Sequence, residues 1–191
     1  MPARDKSRTG LLIWALSLVA VLSLAGLAGA TTLSRLKFYQ LVQHSSTIAR
    51  VRCVRADTRM ENGEIWTDTV FEVVQHDKGF APSPLVVRLP GGTYEHLHSH
   101  VDGVPEFRPG EEVYVFLTGQ PGRQFRIVGW SQGTFRIRKD TRTGVESVTQ
   151  DSAGVPVFDP ESNTFKKSGI RGWRMDRFLD QLNREIHRQA L

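Results

Sequence analysis

"TIARVRCV" (47–54) and "EIWTDTVFEVV" (64–74) flank Glu61-Asn62-Gly63, and the reading of this stretch decides the fold. Asn-Gly is the pair that most readily adopts the two consecutive left-handed conformations of a tight hairpin turn. In the second segment Ile65, Thr67, Thr69, Phe71 and Val73 alternate with Trp66, Asp68, Val70, Glu72 and Val74. One face is mainly apolar and the other mixed, the period of a half-buried strand. Two long paired strands are predicted, and with them an antiparallel sheet.

Turn signals continue the pattern downstream. "HDKGFAPSP" (76–84) breaks the hairpin, "LVVRL" (85–89) gives a short third strand, and Pro90-Gly91-Gly92 ends it. "DGVPEFRPGEE" leads into "VYVFL" (113–117), an apolar fourth strand. "QFRIVGW" and "GTFRIRK" read as a pair turning about Ser131-Gln132, and "VESVTQ" (145–150) as an edge strand. Residues 151–169 are polar and interrupted by Pro and Gly, and read as a loop or flap. Helical spacing is confined to the two ends. Leu33, Leu36, Phe38, Leu41 and Val42 predict a short amphipathic helix behind Thr32 or Ser34, and residues 173–189 predict a C-terminal one with Trp173, Phe178, Leu182 and Ile186 on one stripe. No helical pattern separates the strands, which disfavours parallel βαβ architecture. The expected fold is mainly β: a small antiparallel barrel bracketed by two helices, with residues 31–191 as its single domain.

Residues 1–30 are set apart. Arg4, Lys6 and Arg8 precede an uncharged apolar run from Leu11 to Ala28, and Ala28-Gly29-Ala30 supplies the small residues that a signal peptidase accepts. The stretch reads as an export signal cleaved before Thr31, placing the chain in the periplasm or outside the cell. The alternative is an uncleaved anchor tethering it to a membrane, and membrane contact is expected only through this segment. Formal net charge is +5 for 191 residues. Removing residues 1–30, with three basic residues and one acidic, leaves +3. Basic and acidic residues are interleaved, and no basic stripe studded with aromatics occurs, so no nucleic-acid partner is expected. Cys53 is the lone cysteine; no intramolecular disulfide can form, and packing must hold the fold.

"STIARVRCV", "VFEVVQHDKG", "LVVRLPGG", "GVPEFRPGEEVYVFL" and "FRIVGWSQGTFRI", in that order, resemble a group of exported bacterial β-barrel proteins of no assigned activity. The shared features are a Lys-Gly closing the second strand, a Gly-Gly loop and a Gly-x-Pro-x-Phe-x-x-Gly-Glu element. More distantly the chain is similar to the netrin-like module of tissue inhibitors of metalloproteinases, a barrel of the oligonucleotide/oligosaccharide-binding (OB) type. The resemblance spans about residues 45–138 and implies a fold more than a function. Those inhibitors chelate the protease zinc through an N-terminal cysteine, which is absent near Thr31, so that mode of inhibition is not implied.

Three features are candidates for chemistry. "TYEHLHSH" (93–100) places His96, His98 and His100 at alternate positions, where a strand would send them to one face as zinc or copper ligands. Side chains along one strand face diverge, and the favoured account of the stretch is an exposed polar connection between two strands. The Gly103–Glu111 element offers Glu106 and Glu111 as carboxylates, yet its Pro and Gly residues have a structural reason, with Phe107 as an apolar plug in the barrel mouth. "GWSQG" matches Gly-x-Ser-x-Gly around Ser131, but "TFRIRK" continues as a strand where a nucleophile turn needs a helix. Lys166 to Arg188 forms a basic helical face with interspersed acids, read as solvated. The sequence therefore predicts an exported, non-catalytic binding protein for an unknown protein or surface ligand, with no cofactor. A metal-binding protein using the histidine loop and a modulator of an exported protease are the alternatives.

Overall fold

The computed structural model describes residues 33–120, 122 and 124–189; the expected export signal or anchor lies outside them. β1 (Thr47–Glu61) and β2 (Glu64–Lys78) form a ribbon of two 15-residue strands. Asn62 and Gly63 turn it with φ of 54° and 81°, both positive as a two-residue type I′ turn requires. β3 (Leu85–Pro90) pairs with β2, and β6 (Glu112–Thr118) pairs with β1 on its other side. β8 (Thr134–Lys139), β9 (Glu146–Gln150) and β12 (Trp173–Arg174) extend the sheet to the order β12-β9-β8-β6-β1-β2-β3. All these ladders are antiparallel. β7 (Arg126–Ile127) also pairs with β6. Two small hairpins lie apart from the sheet, β4–β5 (Gly92–Tyr94, Leu97–Ser99) and β10–β11 (Pro156–Asp159, Thr164–Lys167).

β6 explains why "VYVFL" is continuously apolar: both of its faces are covered. Val113, Val115 and Leu117 join Ala49, Val51, Cys53 and Phe71 in one core. Tyr114 and Phe116 point the other way, to a second core with Ile48, Phe135 and Val148. Helices α1 (Phe38–His44) and α2 (Met175–Gln189) cover this second face through Leu41, Val42, Phe178 and Leu182, all buried. Phe38 meets Phe116, Phe135 and Phe178 edge-on at 5.8–6.0 Å, the arrangement aromatic quadrupoles prefer. No described helix is long and apolar enough to cross a membrane.

The mainly-β, antiparallel expectation with flanking helices holds, and several details differ. The ladder path does not close into a barrel: across the gap, Val87 and Phe125 form an isolated parallel bridge. β7 and β8 do not pair with each other. Both use β6, because a 3-10 turn over Trp130–Gly133, entered through left-handed Gly129 and Trp130, reorients the chain between them. β9 is not the edge; Trp173 pairs with Val148 beyond it, so the C-terminal helix begins at Met175 instead of residue 173. The N-terminal helix begins at Phe38, behind Lys37 rather than Thr32 or Ser34. The Gln132 side chain holds Ser34–Leu36 extended, accepting from Leu36 N (2.7 Å) and donating to Ser34 O (2.8 Å).

Residues 151–169 are not a loose flap. Asp151–Gly154 is a 3-10 turn with Ser152 and Ala153 buried, and the β10–β11 hairpin follows with Val157 and Asp159 buried. Arg35 N donates to Phe158 O (2.7 Å) and Phe158 N to Leu33 O (3.0 Å), which tie the hairpin to the start of the described chain. Asp159 is ion-paired to Lys166 (2.9 Å) and Arg35 (3.2 Å). The Lys166 ammonium, helped by Glu161 N–H, holds the Asp159 carboxyl well below the usual carboxylate range.

Candidate functional site

On the β1–β2 ribbon the face that carries Cys53 and Phe71 continues past the apolar core to two further pairs, Ala56 opposite Thr69 and Thr58 opposite Thr67. Strict alternation would have given that face to Arg55. The register slips between Cys53 and Arg55, so the strand carries one surplus residue there. Val54 is left 54% exposed on the other side, and Ala56 and Thr58 turn inward. The core thereby gives way to a floor of small side chains bearing hydroxyls, and a cavity of about 250 Å³ stands over it.

The roof is the histidine hairpin. Gly91 and Gly92, with φ of 95° and 125°, carry the chain from β3 into β4 directly over the floor. A Cβ on Gly92 would collide with the Thr67 hydroxyl, and one on Gly91 would lie 2.8 Å from Ser99 O, so this approach requires glycine at both positions. The Thr67 hydroxyl donates to Gly91 O (2.7 Å) and lies 3.0 Å from that of Thr58. Thr69 is 1% exposed and also lines the cavity. The far wall is the Gly103–Glu111 element, which presents Val104, Pro105, Glu106 and Phe107. Phe107 is 6% exposed and belongs to the core beneath.

The three histidines are not brought to one point. His96 sits in the β4–β5 turn next to Glu95, whose φ is 52°. His98 lines the cavity with Nδ1 3.0 Å from the Thr93 hydroxyl. His100 lines it too, 3.5 Å from both the Asp102 and Glu106 carboxylates. All three are exposed. Among the described residues no group of three His, Cys, Asp or Glu side chains is arranged to hold a metal ion.

The remaining candidates have structural partners. Glu111 accepts from Arg108 N (2.9 Å) and pairs with Arg136 (2.7 Å), fixing the turn into β6. The Ser131 hydroxyl is buried without a hydrogen-bond partner, so no general base touches it. Cys53 is buried, and that burial pushes its thiol pKa up, away from the reactive thiolate. The basic residues of the C-terminal segment are interleaved with acids: Arg174, at the end of β12, pairs with Asp176 of α2 (3.1 Å), and within α2 Arg188 pairs with Glu185 (3.3 Å).

No protein-family model, curated protein or solved structure matches the chain. Its chemistry must be read from the cleft itself: a floor able to donate and accept hydrogen bonds, an apolar wall, and imidazole with carboxylate at the mouth. The histidines, the Gly-Gly pair and the Gly-x-Pro-x-Phe element were each visible in the sequence. The threonine floor has a fainter signal: Thr67 and Thr69 interrupt an otherwise apolar face between Ile65 and Phe71.

Proposed function

We propose that this chain is an exported, non-catalytic binding protein with an OB- or netrin-like barrel, and that the threonine-floored cleft receives a small polar ligand or a side chain of a protein partner. One observation carries the reading: the inward-facing residues of the β1–β2 ribbon, Ala56, Thr58, Thr67 and Thr69, and the continuous stretch from Gly91 to Phe107, which holds the Gly-Gly pair, the histidine hairpin and the Gly-x-Pro-x-Phe loop, line one cavity together. The single bridge between Val87 and Phe125 supports the barrel, because it spans the gap between β3 and the strands on β6. Export rests on the basic start, apolar run and Ala-Gly-Ala site of residues 1–30.

Ala56→Phe places a ring in the cleft from its floor. Wild-type and Ala56→Phe proteins, used as baits in the exported fraction of the native host, test the reading. A ligand or partner held by the wild type and lost by the variant is the expected result; identical captures, or none, overturn it. A second reading, zinc or copper bound at the roof, is favoured by His98 and His100 lining the same cleft. One tightly held ion per chain, lost in His98→Ala or His100→Ala, would put that reading first.

A further inference from the structure

A second recess lies on the other side of Pro90. Beyond the Val87–Phe125 bridge no ladder joins β3 to β7, and the space between their ends is an open groove of about 600 Å³. Trp66 and Trp130 both line it. Trp66 stands opposite Pro90 in the β2–β3 register, and both indoles are half-buried. Trp130 has a φ of 51°, a left-handed conformation that bulky residues adopt at a cost and that clusters at binding sites. Its ring packs on the first core, which holds the indole fixed at the groove wall.

Around the two rings stand planar polar groups of both kinds. Arg88 and Arg126 are donors, Glu64 is an acceptor, and the Gln124 amide is both. Guanidinium and carboxylate charges are mixed in the groove, and Arg88 is already paired with Glu61 (2.7 Å) and Asp68 (2.9 Å). That balance suits a neutral ligand and gives no advantage to a polyanion or polycation. A pyranose ring matches this set: its C–H face packs on an indole, and its neighbouring hydroxyls pair with forked guanidinium, carboxylate and amide groups. A proline-rich peptide would use the indoles and leave the forked groups unmatched.

We propose that the groove between Trp66 and Trp130 binds a neutral linear glycan, independently of the threonine-floored cleft. Purified protein is titrated with chitohexaose, cellohexaose and laminarihexaose, and read by tryptophan fluorescence and calorimetry. At least one of the three binds saturably, and Trp66→Ala and Arg126→Ala each weaken it roughly tenfold or more while leaving the thermal melt near wild type. Trp173→Phe, in β12 and remote from the groove lining, leaves the affinity unchanged. Ala56→Phe also leaves it unchanged, which separates this proposal from the fate of the cleft. The proposal is overturned if none of the three hexasaccharides binds, if binding persists unchanged in Trp66→Ala, or if a decaproline peptide binds in a Trp66-dependent way and the glycans do not.

Discussion

The Phe107 and Phe71 rings stand nearly perpendicular, 85° apart with their centres separated by 5.0 Å, and the Arg136 guanidinium lies 4.9 Å from the Phe107 ring centre. The Gly-x-Pro-x-Phe loop is thus pinned to the β1–β2 core through Phe71 and to a charged network through Arg136. Phe107→Ala should destabilise the protein by about 3 kcal/mol or more, since it removes a buried aromatic and leaves a void. Glu106→Gln, at the cleft mouth with a largely exposed side chain, should leave stability nearly unchanged. Thermal melts of the two variants check this; a Phe107→Ala protein as stable as wild type would refute the plug.

Gly63 and Gly92 separate two costs of a methyl group. Both have positive φ, but a Cβ on Gly63 meets nothing, whereas one on Gly92 strikes the Thr67 hydroxyl. Gly63→Ala should cost about 1 kcal/mol from backbone strain alone. Gly92→Ala should cost more, and it should lift the histidine hairpin off its floor. Denaturant unfolding ranks the pair, and faster amide exchange over residues 92–99 in Gly92→Ala reports the displaced roof.

Asp159 sets an acid limit on the β10–β11 hairpin. Its carboxyl is depressed in the folded state, chiefly by Lys166, so its contribution to stability is complete above the ordinary aspartate value and is lost as pH falls through the folded one. Asp159→Asn should melt below the wild type at neutral pH, and the difference should shrink once pH drops under about 4. A difference that stays constant down to pH 2 would show that the ion pairs are not its source.

At the histidine hairpin the expected outcome is weak metal binding. His98 is engaged with Thr93, His100 lies between Asp102 and Glu106, and His96 occupies the turn, so no shared ligand set is preorganised. Protein prepared without tag or chelator should carry well under one zinc or copper ion per chain, by elemental analysis. His96→Ala, His98→Ala and His100→Ala should each leave the melting temperature unchanged with zinc added.

Local chemistry made much of the fold legible. Asn62-Gly63 announced the ribbon, five consecutive apolar residues marked β6 as a strand, and Phe107 stood out among Pro and Gly as a plug. What stayed hidden depends on contacts remote in sequence. Leu33 and Leu36 have helical spacing, but a glutamine 96 residues beyond Leu36 binds its backbone first and keeps that stretch extended. The polar composition of residues 151–169 conceals Val157 and Asp159, buried by packing and pairing that composition does not report. For the cleft, each wall was visible alone, and their meeting depended on a one-residue slip in β1 that no periodicity displays.

That slip divides the ribbon into two regions under different constraints. Below it, positions 49, 51, 53 and 71 answer to the interior, where a change of one methylene is felt throughout the fold. Above it, positions 56, 58, 67 and 69 face the cavity, and Thr67 also holds Gly91 O and the Thr58 hydroxyl. A change at Ala56 therefore reshapes the cavity while the roof's hydrogen bonds stay in place, whereas a change at Thr67 alters the cavity and the attachment of the roof together.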